Sequence, residues 1–447
     1  MDELADLETS QPSDPLASGS AESLIPWDTI GRQGKRFIAH GPTRQEISQF
    51  WGKDALQPLR VYVGKRTSNS LQEGAALALE ELKRVGGFSR SVLVVATPTG
   101  TGWLDPGGVD TLEYLHAGDT AIVSVQYSHL PSWITILVDP ERSRNAAKVL
   151  FDEIYGHWTT LPREKRPKLF LHGLSLGALG SEVSADLFTI FEDPIQGGVW
   201  SGPPFPSTAW ARATRARNPD SPMWLPTFRD SSLLRFTGRQ SSLADGDQRW
   251  GPMRFVYIQQ ASDPMCFFSP ELLYRKPDWL AGPRGPDVSP YLQWFPVVTF
   301  LQIAFDLPMA TSVPTGYGHN YAPSSYLDAW IAVSQPPGWS EEDTFRLNRL
   351  LAGKGGAQSP SESKRPREST LTTTNPRAAN FWARPAPPLL LYGVCHRIAG
   401  KRSSARGRKT STINRIPSRI GARWSRSSST SYLAGEISPT CKTGGRA

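Results

Sequence analysis

The sequence predicts an α/β protein with a mostly parallel central sheet and helices on both faces. Three observations carry this. Short apolar, β-branched runs recur along the chain, they show little polar alternation, and helix-length segments with capping residues separate them. A strand that reads apolar on both sides is buried on both faces, as happens when crossover helices cover a parallel sheet.

The elements follow in order. RVYVGK (60–65) suits a strand. Asn69 or Ser70 can cap the next helix, LQEGAALALEELKRV, whose last turn holds Lys83 and Arg84 and which Gly86-Gly87 can end. SVLVVATP (91–98) and AIVSVQYS (121–128) are continuous apolar strands. Asp139-Pro140 opens a helix through ERSRNAAKVLFDEIY. KLFLHG (168–173) is a strand, Leu176–Phe191 reads as the helix behind it, and GGVWSG (197–202) and RFVYIQQ (254–260) are further strands. Between the last two, 203–250 is rich in Pro, Ser, Trp and Arg and is expected to be an insertion over the strand ends. It is a lid candidate in which Trp210, Trp224 and Trp250 line an acyl-binding wall or simply pack. Tyr291–Ala310 is the most apolar long run, but Gln293, Pro296, Gln302 and Asp306 interrupt it, so a buried helix is expected rather than a bilayer span.

Three regions result: a polar 1–23 expected to be disordered, a catalytic-sized domain over 24–352, and a basic, low-complexity 353–447 expected to be disordered. The net charge of +8 belongs to the tail. Residues 357–447 carry 17 Lys/Arg against 3 Asp/Glu, leaving 32 against 38 for the rest, so a basic pI is no argument that the body binds nucleic acid. For the tail itself three readings stay open: disorder, a polybasic arm for nucleic acid or anionic lipid, and a segment translated out of frame. Cys266, Cys395 and Cys441 have no metal-ligand spacing, so no metal or other cofactor is expected. The acidic start, MDELADLETSQPSD, shows no signal peptide, and the chain as given is expected to be soluble, its compartment undetermined.

Chemistry centres on Gly173-Leu-Ser175-Leu-Gly177, which fits G-x-S-x-G between a buried strand and a helix. Small residues are needed two positions either side because the serine occupies a strained turn that lifts Oγ above the sheet. A Walker loop would need a Lys-Ser/Thr pair that is missing, and Thr99-Gly-Thr-Gly102 lacks the third glycine of a dinucleotide fingerprint. A serine of this kind needs a base and an orienting acid, in the order Ser, Asp/Glu, His. Only His319 and His396 follow it. His396 lies in the tail, while His319 sits in the glycine-flanked loop TGYGHN; His172 is expected to shape the turn. Asp263, just after the strand RFVYIQQ, is the expected acid, with Asp245, Asp247 and Asp306 as second choices. Oxyanion donors are expected from the backbone of Leu176 and from Thr99-Gly100, since Pro98 has no N–H.

LIPWDTIGRQGKRFIAHGPT (24–43), VVATPTGTGWLDPG (94–107), LHGLSLGALGSE (171–182) and TGYGHNY (315–321) together resemble the actinobacterial membrane-associated α/β-hydrolase family. The resemblance covers about 23–352. It implies the α/β-hydrolase fold with an inserted lid-like segment, Ser175 as nucleophile with Asp263 and His319 as partners, and an ester substrate, a lipid ester among the candidates. Membrane association is implied by the resemblance alone, its members usually carrying a transmembrane bundle before this region. Two rivals stay open: a catalytically inactive hydrolase scaffold that binds a lipid or protein, and a basic-tailed nucleic-acid binder.

Overall fold

The computed structural model describes residues 9–186, 188–243 and 249–355. All lie in the first of two units into which the chain divides, Met1–Val394; the second, Cys395–Ala447, falls outside the described residues. So do the tail from residue 356 on, with Cys395, His396 and Cys441, and the second-choice acids Asp245 and Asp247.

In chain order the elements are α1 (Arg32–Ala39), α2 (Arg44–Trp51), β1 (Leu59–Val63), α3 (Leu71–Arg84), β2 (Val92–Thr97), α4 (Pro106–Leu115), β3 (Thr120–Val125), α5 (Ser132–Val138), α6 (Glu141–Thr160), β4 (Lys168–Leu174), α7 (Leu176–Ser181), β5 (Gly197–Ser201), α8 (Thr208–Arg215), β6 (Leu234–Thr237), β7 (Arg254–Ile258), α9 (Pro264–Phe267), α10 (Val298–Asp306), α11 (Pro323–Ser334) and α12 (Glu341–Gly355). The strands form one parallel sheet in the order β1-β3-β2-β4-β5-β7-β6. β1, β2, β3 and β5 are buried along their whole length, and β2 reads accordingly as an unbroken apolar run, while β1 buries Arg60 among apolar residues. Helices α3, α6 and α7 pack on one face, and α4 and α11 pair on the other. The chain winds outward from β2 in both directions, so the loops after β2 and β4 meet at the switch point, where open α/β sheets place their sites.

A buried ion cluster fixes α4 to β1. Arg60 bonds Glu113 through both Nε (2.8 Å) and Nη2 (2.6 Å), Asp110 at 2.6 Å and the Phe37 carbonyl at 2.6 Å. The guanidinium is paired on every side, the condition under which a buried charge is tolerated.

Several segments depart from expectation. Ser70, not Asn69, caps α3, accepting from Glu73 N at 3.1 Å. The helix behind Ser175 stops at Ser181 instead of running to Phe191. Its next residue, Glu182, turns away to accept from Ala209 N, Trp210 N and Tyr257 Oη, capping α8, and burial raises that carboxyl to about 7. The 203–250 segment is more than an insertion, because it contributes α8 and the edge strand β6. Trp210 is buried in the main core and donates to Gln259, and Trp250 lies under the Arg235 guanidinium, so both pack. The 291–310 run is helical only over α10 and a short 3-10 turn, and it exposes Tyr291, Phe295 and Phe305. Residues 9–23, expected to be disordered, instead form turns with Ser18 and Ser20 buried and with Arg84 donating to the Pro15 carbonyl.

Candidate active site

Ser175 sits between β4 and α7 with φ 57° and ψ −124°, a region that costs a non-glycine residue about 1–3 kcal/mol. The flanking glycines are required by contact. A Cβ on Gly173 would lie 2.3 Å from the Gly177 carbonyl carbon, and one on Gly177 would lie 2.1 Å from the Thr97 carbonyl oxygen. The elbow therefore folds on itself and against the end of β2. Gly177→Ala is expected to cost about 1–3 kcal/mol in chemical denaturation, because backbone must shift to admit the methyl. Wild-type stability in that variant would mean that the elbow is loose.

Asp263 caps α9, with Pro264 in the first turn and Oδ1 accepting from Met265 N at 2.8 Å. This turns Oδ2 toward three donors: His319 Nδ1 (2.7 Å), Tyr321 Oη (2.7 Å) and Cys266 Sγ (3.3 Å). Burial first, and then the neighbouring Asp263 charge, raise the Tyr321 phenol and the Cys266 thiol well above their ordinary values, so both keep the proton they donate. The His319 loop is a tight turn with Gly316 N bonded to the Asn320 carbonyl at 2.7 Å. It is held by Gly318 N to Ser262 Oγ (2.9 Å) and by His319 N to the Ala310 carbonyl (2.9 Å).

The serine and the histidine each touch the end of β5. Ser175 N donates to the Ser201 carbonyl at 2.9 Å, and the next residue, Gly202, carries the His319 ring so closely that a Cβ there would lie 2.5 Å from Cε1. Ser175 Oγ and His319 Nε2 are both buried and neither has a hydrogen-bond partner. A carboxylate oxygen only accepts, so the bond to Asp263 puts the imidazole proton on Nδ1 and leaves Nε2 as an acceptor.

The other expected residues divide. Leu176 opens α7 at a position whose N–H has no intrahelical acceptor. Thr99 does not match its expected role as donor: its N–H is already bonded to the Trp103 carbonyl at 2.9 Å, closing a turn over 99–103. Gly100 is buried in that turn, which Tyr62 Oη secures through the Gly102 carbonyl at 2.7 Å. His172 bonds the Val199 carbonyl at 2.8 Å and packs against Tyr326 and Trp330; burial lowers it to about 4, so it stays neutral. Asp306 lies on α10, raised by burial to about 6, away from the His319 bond. Sequence reasoning gave no role in the site to Tyr321, Cys266, Ser262 or Ser201, although Tyr321 lies in TGYGHNY, Ser201 in the strand GGVWSG, and Cys266 was weighed as a metal ligand.

Next to the nucleophile is an apolar cluster separate from the main core. Leu176 and Leu179 of α7 pack there with Ile136, Met265, Phe268 and Ile303, and the partly buried Phe205 and Phe300 border it. Among the described residues no group of His, Cys, Asp or Glu could hold a metal ion, and no helix is long and apolar enough to cross a membrane.

A family model described as an alpha/beta-hydrolase family matches residues 59–347, and a model of the N-terminus of an alpha/beta-hydrolase family matches residues 1–42. No curated protein matches the chain. Similar solved structures include a cutinase-like protein from Cryptococcus sp. (12% identity, 40% of this chain and 80% of that one, TM-score 0.24). Another is a Trichoderma reesei cutinase in complex with a C11Y4 phosphonate inhibitor (13% identity, 54% and 87%, TM-score 0.23). A third comes from work on the metagenome-derived lipolytic enzymes LipS and LipT (17% identity, 37% and 59%, TM-score 0.16).

Proposed function

The chain belongs to the alpha/beta-hydrolase family, and we propose that it is a serine esterase acting on esters with an apolar acyl chain. In this reading Ser175 is the nucleophile, His319 the general base and Asp263 the residue that orients the base. The carrying observation is the Asp263–His319 bond, which leaves Nε2 as an acceptor, on a ring packed against Gly202, next to the Ser201 carbonyl that holds the N–H of the strained elbow serine Ser175.

Attack by Oγ on the ester carbonyl passes its proton to His319 Nε2, and the same proton then goes to the leaving alcohol. Water repeats the sequence on the acyl-enzyme and returns Ser175. The oxyanion is assigned to the N–H of Leu176, and Thr99 is not part of that assignment. Ser175 is 1% exposed and His319 6%, so both reacting groups are covered in this structure. The cluster around Leu176 supplies an apolar surface for the acyl chain, and the exposed Tyr291, Phe295 and Phe305 offer a face to a lipid substrate. The membrane-associated, actinobacterial branch that the motifs resemble is part of this proposal. An inactive hydrolase-fold binding module is the second reading, favoured by the occupied Thr99 N–H.

The test is a panel of p-nitrophenyl esters with a fluorophosphonate label as control. kcat/KM is expected to rise roughly fourfold per added methylene until the wall is filled, following about 0.8 kcal/mol per buried CH2. A flat series from acetate to octanoate would remove the apolar-acyl assignment. No labelling and no turnover in the folded protein would remove the esterase.

A further inference from the structure

A second carboxylate lies behind the nucleophile, and neither the acid–base pair nor the elbow uses it. Asp105 follows the loop after β2 and caps α4, with Oδ1 accepting from Gly107 N at 2.9 Å. Its other oxygen accepts from Tyr326 Oη of α11 at 3.0 Å. Tyr326 Oη also lies 2.7 Å from Ser201 Oγ. A phenol has one proton and the carboxylate takes it, so Ser201 donates to Tyr326. Ser201 is the residue whose carbonyl holds the Ser175 N–H, and Gly202 beside it carries the His319 ring. The chain Asp105–Tyr326–Ser201 thus ends on the short backbone segment shared by nucleophile and base.

We propose that Asp105 is a positioning residue of this site, acting on Ser175 and His319 through Tyr326 and Ser201 and through its own charge. The inference rests on the serine-esterase reading above. Deprotonating Ser175 makes an imidazolium at His319, and a second negative charge within electrostatic reach favours that cation. Two anchors make the arrangement stiff. The Arg60 cluster clamps α4, and Trp330 of α11 donates to the Gly108 carbonyl at 2.8 Å.

The titratable groups facing Asp105 are Asp110 on its own helix, Tyr326 on α11 and His319 across the site. Burial raises Asp105 to about 6, against the Gly107 and Tyr326 hydrogen bonds. It is therefore charged at neutral pH and becomes neutral as pH falls through about 6. That charge favours the imidazolium formed as Ser175 attacks, so acylation slows as Asp105 becomes neutral. Removing the charge must then move the acid limb of the activity profile to lower pH.

The experiment compares the rate of labelling by a fluorophosphonate–rhodamine probe between pH 5 and 9 for wild type, Asp105→Asn and Tyr326→Phe. Labelling reports the attack of Ser175 alone, on phosphorus with loss of fluoride, and asparagine keeps the helix cap. Asp105→Asn is expected to shift the acid limb down by about half a unit to one unit, the low end for a charge not in contact. Tyr326→Phe cuts the chain and removes a hydrogen bond that favours the charged Asp105, so its limb is expected not to move down with that of Asp105→Asn, while its plateau rate falls several-fold. An unshifted limb in folded Asp105→Asn, or a wild-type plateau in Tyr326→Phe, would overturn the proposal while wild-type labelling leaves the esterase standing. Should Asp105→Asn not fold, the Tyr326→Phe plateau decides. An unlabelled wild type would overturn both readings together.

Discussion

Ser175→Ala is expected to lose all fluorophosphonate labelling and at least about 10⁴-fold in ester turnover, while the protein becomes no less stable. The loss follows because no other hydroxyl is set at the elbow between β4 and α7. The stability half of the expectation is the more discriminating. Alanine has the same Cβ, so it meets the same strain at φ 57° that serine meets. What it removes is a buried Oγ without a partner, whose burial opposes folding. Thermal or urea unfolding should therefore place the variant at or above wild type, a trade of stability for function that hydrolytic sites commonly make. A variant that labels like wild type would put the nucleophile elsewhere. One that is inactive but clearly destabilised would give Ser175 Oγ a structural role and weaken the reading.

What the sequence made legible was governed by burial and by range. VLVVAT and KLFLHG announce themselves because both faces of each strand are covered, and the elbow stands out because Gly173 is dictated by a contact with Gly177 four residues on, whereas the need for Gly177 itself comes from Thr97, far back in the chain. β6 is four residues long, sits at the sheet edge and is surrounded by polar turns, so LRFT carries no such signature. α4 begins Pro-Gly-Gly, which reads as a loop; Asp105 as cap and the Arg60 cluster make it a helix, and the latter lies some fifty residues back in the chain. The same limit governs the site. The order Ser175, Asp263, His319 could be read along the chain, whereas the donors converging on Asp263 come together only through folding. Thr99 failed as a donor for a local reason, since whether its N–H closes a turn on Trp103 is a matter of backbone geometry that TPTGTGW does not encode by residue type.

The second large effect is expected at Asp263→Asn: a loss of about 10³–10⁴ in acylation rate, with the fold retained. Asp263 Oδ1 is held by Met265 N–H, which fixes an asparagine with its carbonyl in that place and its NH2 where Oδ2 was. That NH2 would face His319 Nδ1, donor against donor. The imidazole relieves the conflict by moving its proton to Nε2, and Nε2 can then no longer accept from Ser175. The opposite flip gives His319 its acceptor but sets NH2 against Met265 N–H and breaks the α9 cap. Tyr321→Phe separates this tautomer effect from simple loss of a contact. It deletes one of the donors on Oδ2 and leaves the His319 bond in place, so about a tenfold loss is expected. Rates of fluorophosphonate labelling, with circular dichroism to check folding, measure both. If Asp263→Asn stayed within tenfold of wild type, the orienting acid would have to be sought elsewhere. Asp105, the other carboxylate within electrostatic reach of His319, would then be the first place to look.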